Sequence, residues 1–216
     1  MRHINKETEP QLLANYRNSK TPTPRYLDMD SHVRDAVKNQ LLTEQNSLCA
    51  YCMQNIEASK MKVEHWFPRH SEDAESQKEG EQKELNYSNL LAVCHRNITI
   101  GKEKLEHCDT SKKNKIITVS PLNKVHVRSI HYDNQGEILS KNITHQTEIN
   151  EVLNLNTPEL QKRRRTLLTT FRKGLSDKSK KGKTVNLSAE LKKWQDQTRP
   201  FCMVIITYLE KKIAQN

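Results

Sequence analysis

The chain has 216 residues, 34% of them hydrophobic, with a mean hydropathy of -0.89 and a formal net charge of +10. Such a length fits one large domain, or a small core with a second lobe, and so few apolar residues leave a thin core that needs help from something besides apolar burial. No run of about 18 apolar residues exists, which excludes a membrane-spanning helix, and the polar start MRHINKETEPQLL lacks a signal-peptide core; the chain reads as cytoplasmic, with no membrane partner.

The charge is uneven. Residues 1–140 hold 20 Lys and Arg against 19 Asp and Glu, and residues 141–216 hold 16 against 7. A basic last third attracts polyanions, nucleic acid being the commonest; a solvated helix face is the plainer alternative.

Residues 1–28, with three prolines and little periodicity, read as an extended N-terminal arm. Residues 31–46 place Val33, Val37, Leu41 and Leu42 on one helical face, with Ser31 as the N-cap. MKVEHW reads as a strand, and residues 71–85, lacking an apolar stripe, as an exposed loop with room for a short helix. VHVRSIHYDNQGEILS alternates on both sides of Asn134-Gln135-Gly136, as a β-hairpin does. Beyond residue 146 the pattern is helical. One helix carries Leu160, Leu167, Leu168, Phe171 and Leu175 inward. SDKSKKGKTVN follows as a flexible basic loop, then come two more helices, the last with Phe201, Val204, Ile205, Tyr208 and Leu209 inward. No internal repeat is visible.

Five cysteines are present, at 49, 52, 94, 108 and 202. Cys202 stands among apolar residues at helical spacing and reads as a buried core thiol. Cys49 and Cys52 form a CxxC, a knuckle that turns two thiolates toward one ion, and Cys94 with Cys108 completes a four-cysteine set suited to structural zinc. The 13 residues between the last two make this pair looser than a second CxxC. Two alternatives stand beside zinc: a redox CxxC, for which no βαβ context precedes the motif, and four plain buried thiols.

Between the cysteine pairs lies VEHWFPRH. The order CxxC, Glu64-His65 ahead of a Pro, Asn89-Leu90, and Cys108-Asp109 with Lys112 three residues on resembles the zinc-stapled HNH (ββα-metal) endonucleases. The resemblance implies an α+β fold: a zinc-stapled ββα-metal core over 47–120, an N-terminal arm and helix over 1–46, and a hairpin with a basic helical region over 121–216. It also implies site roles. His65 would be the general base toward water, since imidazole titrates near neutrality. Glu64 and Asp109 would hold a catalytic Mg²⁺ or Mn²⁺, a hard ion suited to carboxylate oxygens, while Cys49, Cys52, Cys94 and Cys108 hold Zn²⁺. Asn89 would brace the loop that orients His65, and Lys112 would contact phosphate or the metal-bound scissile group. The third signature residue is usually His or Asn; here it is Asp109, with His95, His107 and Asn114 as competitors, and His70 is a weaker candidate base. Taken singly, each of these residues is more often an ordinary surface or half-buried side chain.

The long-spaced second cysteine pair, with RHINKETEP at the start and RPFCMVIITYLEKK at the end, is similar to the HNH subunits of the Septu antiphage system, which also occur as retron effectors. That resemblance implies a bacterial defence nuclease acting on DNA or RNA with an ABC-type ATPase partner and, in the retron form, a reverse transcriptase and its RNA–DNA product. Lys162-Arg163-Arg164-Arg165 would grip a phosphate backbone, or dock on an acidic partner, or simply be solvated. A catalytically silent zinc-knuckle module that binds nucleic acid is the alternative function; it needs the cysteines and the basic region but neither Glu64 nor His65.

Overall fold

A computed structural model of the chain describes residues 1–19, 24–95, 98–100, 103–182 and 184–215, with backbone alone for 98–100 and 103–104. The chain is mixed α+β, as expected. The N-terminal arm is less extended than its prolines suggest: Gln11–Arg17 forms a two-turn helix, α1, directly after Pro10, and buries Leu13. Proline is well placed ahead of a helix, where its missing N–H costs nothing. Helix α2 (Ser31–Glu44) buries Val33, Val37 and Leu41, and its N-cap is Asp30 rather than Ser31, the carboxylate accepting from the Val33 N–H. Moving the cap one residue upstream gives the first turn a charged acceptor at its positive end.

After α2 the chain makes a tight loop through Cys49–Cys52, closed by a bridge between Leu48 and Asn55. Strand β1 (Met61–His65) then pairs antiparallel with β2 (Leu90–Cys94), setting Met61 opposite Cys94 and His65 opposite Leu90. Glu64 and His65 therefore lie at one end of the ladder and the cysteine at the other. Between the strands, α3 (Ala74–Lys83) replaces the expected loop. Asp73 caps it, accepting from the Ser76 N–H. An apolar stripe is missing because the contact surface of α3 is a glycine: Gly80 is buried, and a Cβ there would lie 2.4 Å from the Pro68 carbonyl oxygen.

A hairpin of β3 (Ile98–Ile100) and β4 (Glu103–Leu105) fills the long gap between Cys94 and Cys108. One turn of helix, α4 (Asp109–Lys112), follows Cys108 and completes a ββα unit with β1 and β2. Helix α5 (Lys124–Arg128) leads into the expected hairpin, β5 (Ile130–Tyr132) with β6 (Ile138–Ser140). Helix α6 (Ile143–Thr147) runs on into a π-helical turn, Glu148–Val152. Glu148 anchors it by accepting from the Thr118 and Val119 N–H groups, both at 2.7 Å.

Helix α7 (Pro158–Lys180) outlasts its apolar stripe and absorbs the start of the expected basic loop; Lys, Ser and Asp in that stretch are acceptable helix residues and Gly182 stops it. Helices α8 (Leu187–Asp196) and α9 (Cys202–Ile213) pack together, and α9 buries Cys202, Val204, Ile205 and Leu209. One continuous cluster of buried residues draws on α1, α2, β1, β2, α7 and α9. Among the described residues, no helix is long and apolar enough to cross a membrane.

Two helical glycines make opposite predictions. Gly174 in α7 has nothing within 4 Å of a built Cβ, whereas Gly80 meets backbone. Gly174→Ala should gain about 0.5–1 kcal/mol from helix propensity. Gly80→Ala should lose stability despite the same propensity gain. Urea denaturation of the two variants beside the parent chain reads both signs.

Candidate active site and metal centre

Cys49 and Cys52 come from the loop after α2, Cys94 from the end of β2, and Cys108 from the residue before α4. All four side chains are buried, and their sulfurs lie within 4.8 Å of one another. Cys49 and Cys108 are 3.8 Å apart, Cys52 and Cys94 3.7 Å. A tetrahedral ion with Zn–S bonds of ~2.3 Å separates its sulfurs by about 3.8 Å, so the donors fit zinc in number, chemistry and spacing. Burial pushes Cys52 up, yet hydrogen bonds with Cys108, Cys49, Cys94 and His107 hold it well below the ordinary thiol value, while burial drives Cys108 well above it. Four dry thiols crowd one another in this way until a divalent ion balances their charge. The backbone serves the same knuckle: the Met53 N–H donates to the Cys49 carbonyl, and the Cys108 N–H donates to Leu153, at 2.8 Å. His107 sits on this side, with Nδ1 3.1 Å from the Cys108 sulfur, so it supports the cluster and does not reach the cleft.

At the opposite end of the β-ladder, Glu64 and His65 are both buried. Their side chains diverge, as neighbours on a strand must. The His65 Nε2–H donates to the Glu84 carbonyl at 2.9 Å, which fixes the tautomer and leaves Nδ1 as the lone-pair nitrogen. Among the described residues, Nδ1 has no hydrogen-bond partner. Tyr26 packs edge-on to the ring, 4.4 Å between centroids, and burial depresses the imidazole to about 4, so the ring is neutral at physiological pH.

Glu64 points the other way. Its Oε1 accepts from the Lys112 ammonium at 2.8 Å and from the Tyr51 hydroxyl at 3.3 Å. Burial pushes this carboxyl up to about 8, against the pull of Lys112. Asp109 lies within hydrogen-bonding reach of it. Burial would raise Asp109 too, but its bonds with Glu64 and Lys62 keep it below the usual carboxylate range; the Lys62 ammonium is 3.0 Å away. The two carboxyls thus titrate apart, Glu64 drawn up and Asp109 drawn down, beside a cleft of about 230 Å³ that Glu64, His65, Arg69, His70, Asp109 and Asn114 help to line. Paired carboxylate oxygens on the rim of a cleft suit a hard divalent cation, which would favour the ionised form of Glu64.

Asn89 closes the turn after β1. Its Oδ1 accepts from the Phe67 N–H at 2.7 Å, its Nδ2 donates to the Phe67 carbonyl at 3.0 Å, and its own carbonyl accepts from the Trp66 N–H. His65 lies four residue steps along the strand from Met61, roughly 13 Å, and His95 follows the residue paired with Met61; His95 is therefore at the far end from the base. Lys112 departs from expectation. It is fully buried, giving its ammonium to Glu64 and to the His65 carbonyl, 3.3 Å away, so it cannot touch a phosphate in solvent and acts by holding two other groups. Tyr51, between the two knuckle cysteines, carries no motif in the sequence; it is fully buried and its hydroxyl meets Glu64.

No family model matches the chain. A protein of Vibrio cholerae serotype O1 biovar El Tor, named as a candidate HNH endonuclease of retron Vc95, is 27% identical over 173 residues. The match covers 76% of this chain and 78% of that protein.

Zinc should be present at one ion per chain, measured by mass spectrometry under native conditions. Cys52→Ser should abolish stoichiometric zinc and lower the melting temperature, because structural metal binding contributes directly to folding.

Proposed function

We propose that this chain is a metal-dependent HNH endonuclease of a retron or Septu-type defence system. The observation that carries the reading is the arrangement of His65: a ring whose Nε2–H is tied to a backbone carbonyl, whose Nδ1 is left as acceptor, and whose neighbour Glu64 lines one cleft with Asp109. The name of the Vibrio relative supports it.

In this reading His65 Nδ1 takes the proton from the attacking water, a role for which its tautomer leaves that nitrogen free and burial keeps the ring unprotonated. Glu64 and Asp109 would hold Mg²⁺ or Mn²⁺, which when bound would supply charge stabilisation at the scissile phosphate. Lys112 positions Glu64 and the His65 backbone. Asn89 fixes the turn that sets the ring against Glu84. The four cysteines would hold zinc and so tie down Cys108, and with it Asp109 one residue along. The substrate is DNA or RNA. An ABC-type ATPase and, in a retron, the reverse transcriptase with its RNA–DNA product are the partners that hold the nuclease in check.

The test is cleavage of labelled duplex DNA, single-stranded DNA and tRNA with and without Mg²⁺, by the chain alone and with co-purified partners. His65→Ala should lose at least about 100-fold in rate, the usual worth of a positioned base, with its zinc retained. Asn89→Ala should lose less, since it acts through the turn. Equal cleavage by His65→Ala and the parent chain would reject this base. Nucleic-acid binding without any cleavage would favour the silent zinc-knuckle module.

A further inference from the structure

The basic run Lys162–Arg165 does not act as a unit. Arg164 is buried, donating to the Gly136 and Leu155 carbonyls at 2.5 and 2.8 Å. Arg163 is engaged with Glu159 and with Gln54, both at 2.8 Å. The free cations follow a different geometry. Helix α7 turns Leu160 and Leu168 into the core. On its opposite side Lys162, Arg165, Arg172 and Lys173 are exposed, together with Thr166 and Thr169. These six recur three or four residues apart, so they form one stripe about 16 Å long. Among the described residues, none of the four cations has a salt-bridge partner.

The stripe is also braced. The β5–β6 turn lies directly on α7: Gly136 has φ +83°, and a Cβ there would be 2.3 Å from the Gln161 carbonyl oxygen. That close approach sets two carboxamides beside two guanidinium groups. Arg165 donates to Gln135 Oε1 at 3.3 Å, and Arg172 lies 3.5 Å from Asn134 Oδ1. Of the two acids of the turn, Asp133 spends Oδ1 on the Gln135 and Glu137 N–H groups, and among the described residues neither it nor Glu137 forms a salt bridge with the stripe. Neutral acceptors orient an arginine without cancelling its charge, and leave most of its five donors free.

We propose that this face of α7, with the β5–β6 turn, is a second nucleic-acid contact that grips the phosphate backbone apart from the catalytic cleft. The pattern fits phosphates better than a protein carboxylate patch. The stripe sets two hydroxyls between two pairs of cations, both groups being common donors to phosphate oxygens, and none of its six residues is of the apolar kind that a protein interface core would require. The chain's formal charge of +10 is concentrated in this region. The face would bind whether or not the cleft cuts.

The test uses full-length chain carrying His65→Ala, so that the probe survives, and fluorescence anisotropy on a 20-nucleotide single strand and a 20-base-pair duplex over a salt series. Lys162→Gln, Arg165→Gln, Arg172→Gln and Lys173→Gln are combined in one variant, with a pairwise Arg165→Gln, Arg172→Gln variant as a milder version. A control removes four exposed cations elsewhere: Lys78→Gln, Lys124→Gln, Arg128→Gln and Lys211→Gln. The stripe variant should bind at least about tenfold more weakly, and its salt slope should fall by about 0.7–0.9 for each phosphate the protein no longer neutralises. The control should weaken much less, and melting temperatures should match. Equal weakening in stripe and control variants would mean net charge alone and would overturn the proposal. So would unchanged binding in the stripe variants. Binding of polyglutamate in preference to nucleic acid, abolished in the stripe variant, would overturn it in favour of an acidic protein partner.

Discussion

Four thiols in one buried cluster are the constraint on which the candidate site depends. They join three stretches that the chain would otherwise leave unconnected: the loop leaving α2, the end of β2 and the start of α4. A four-residue helix has almost no stability of its own. α4 keeps its place because Cys108 is tied at its N-terminus and Lys112 is buried at its other end. The candidate catalytic carboxylate, Asp109, lies between these two fixed points. The knuckle reaches the chemistry a second way through Tyr51, which sits between Cys49 and Cys52 and donates to Glu64.

The electrostatics of the cleft follow from burial. Glu64 and His65 have been taken out of water, and each resists charge. For His65 that favours the neutral base. For Glu64 it favours a proton or a cation, and the chain already supplies one cation in Lys112. A buried ion pair of this kind adds little to stability and much to geometry, because removing either partner strands the other in a dry site. Lys112 therefore belongs to the scaffold of the site.

Much of this was legible in sequence because it rests on short-range spacing. CxxC, Glu64-His65 and Cys108-Asp109 are each local, so these short motifs name both the thiols of the buried cluster and the groups that line the cleft. The period-2 pattern about Gly136 announced the β5–β6 hairpin, and period-3.6 patterns announced α2, α7 and α9. What escaped depended on packing that leaves no periodic trace. α3 docks through a missing side chain at Gly80, so it shows no apolar stripe. Lys112 and Arg164 look like surface cations, and only the carbonyls and carboxylate waiting for them in the fold make them buried. α1 is a short helix held by packing, where its own propensity would leave it unformed.

The hydrogen bond from the Cys108 N–H to the Leu153 carbonyl has a consequence in time as well as in space. The residues of the cleft are all translated by Asn114, but Leu153, the strut behind Cys108, comes 39 residues later, and Arg164, which clasps the neighbouring Leu155 carbonyl, comes later still. At about 5–20 residues per second of synthesis, the growing chain carries an unbraced cleft for several seconds. The candidate site would thus emerge from the ribosome with its side chains complete and their support not yet made.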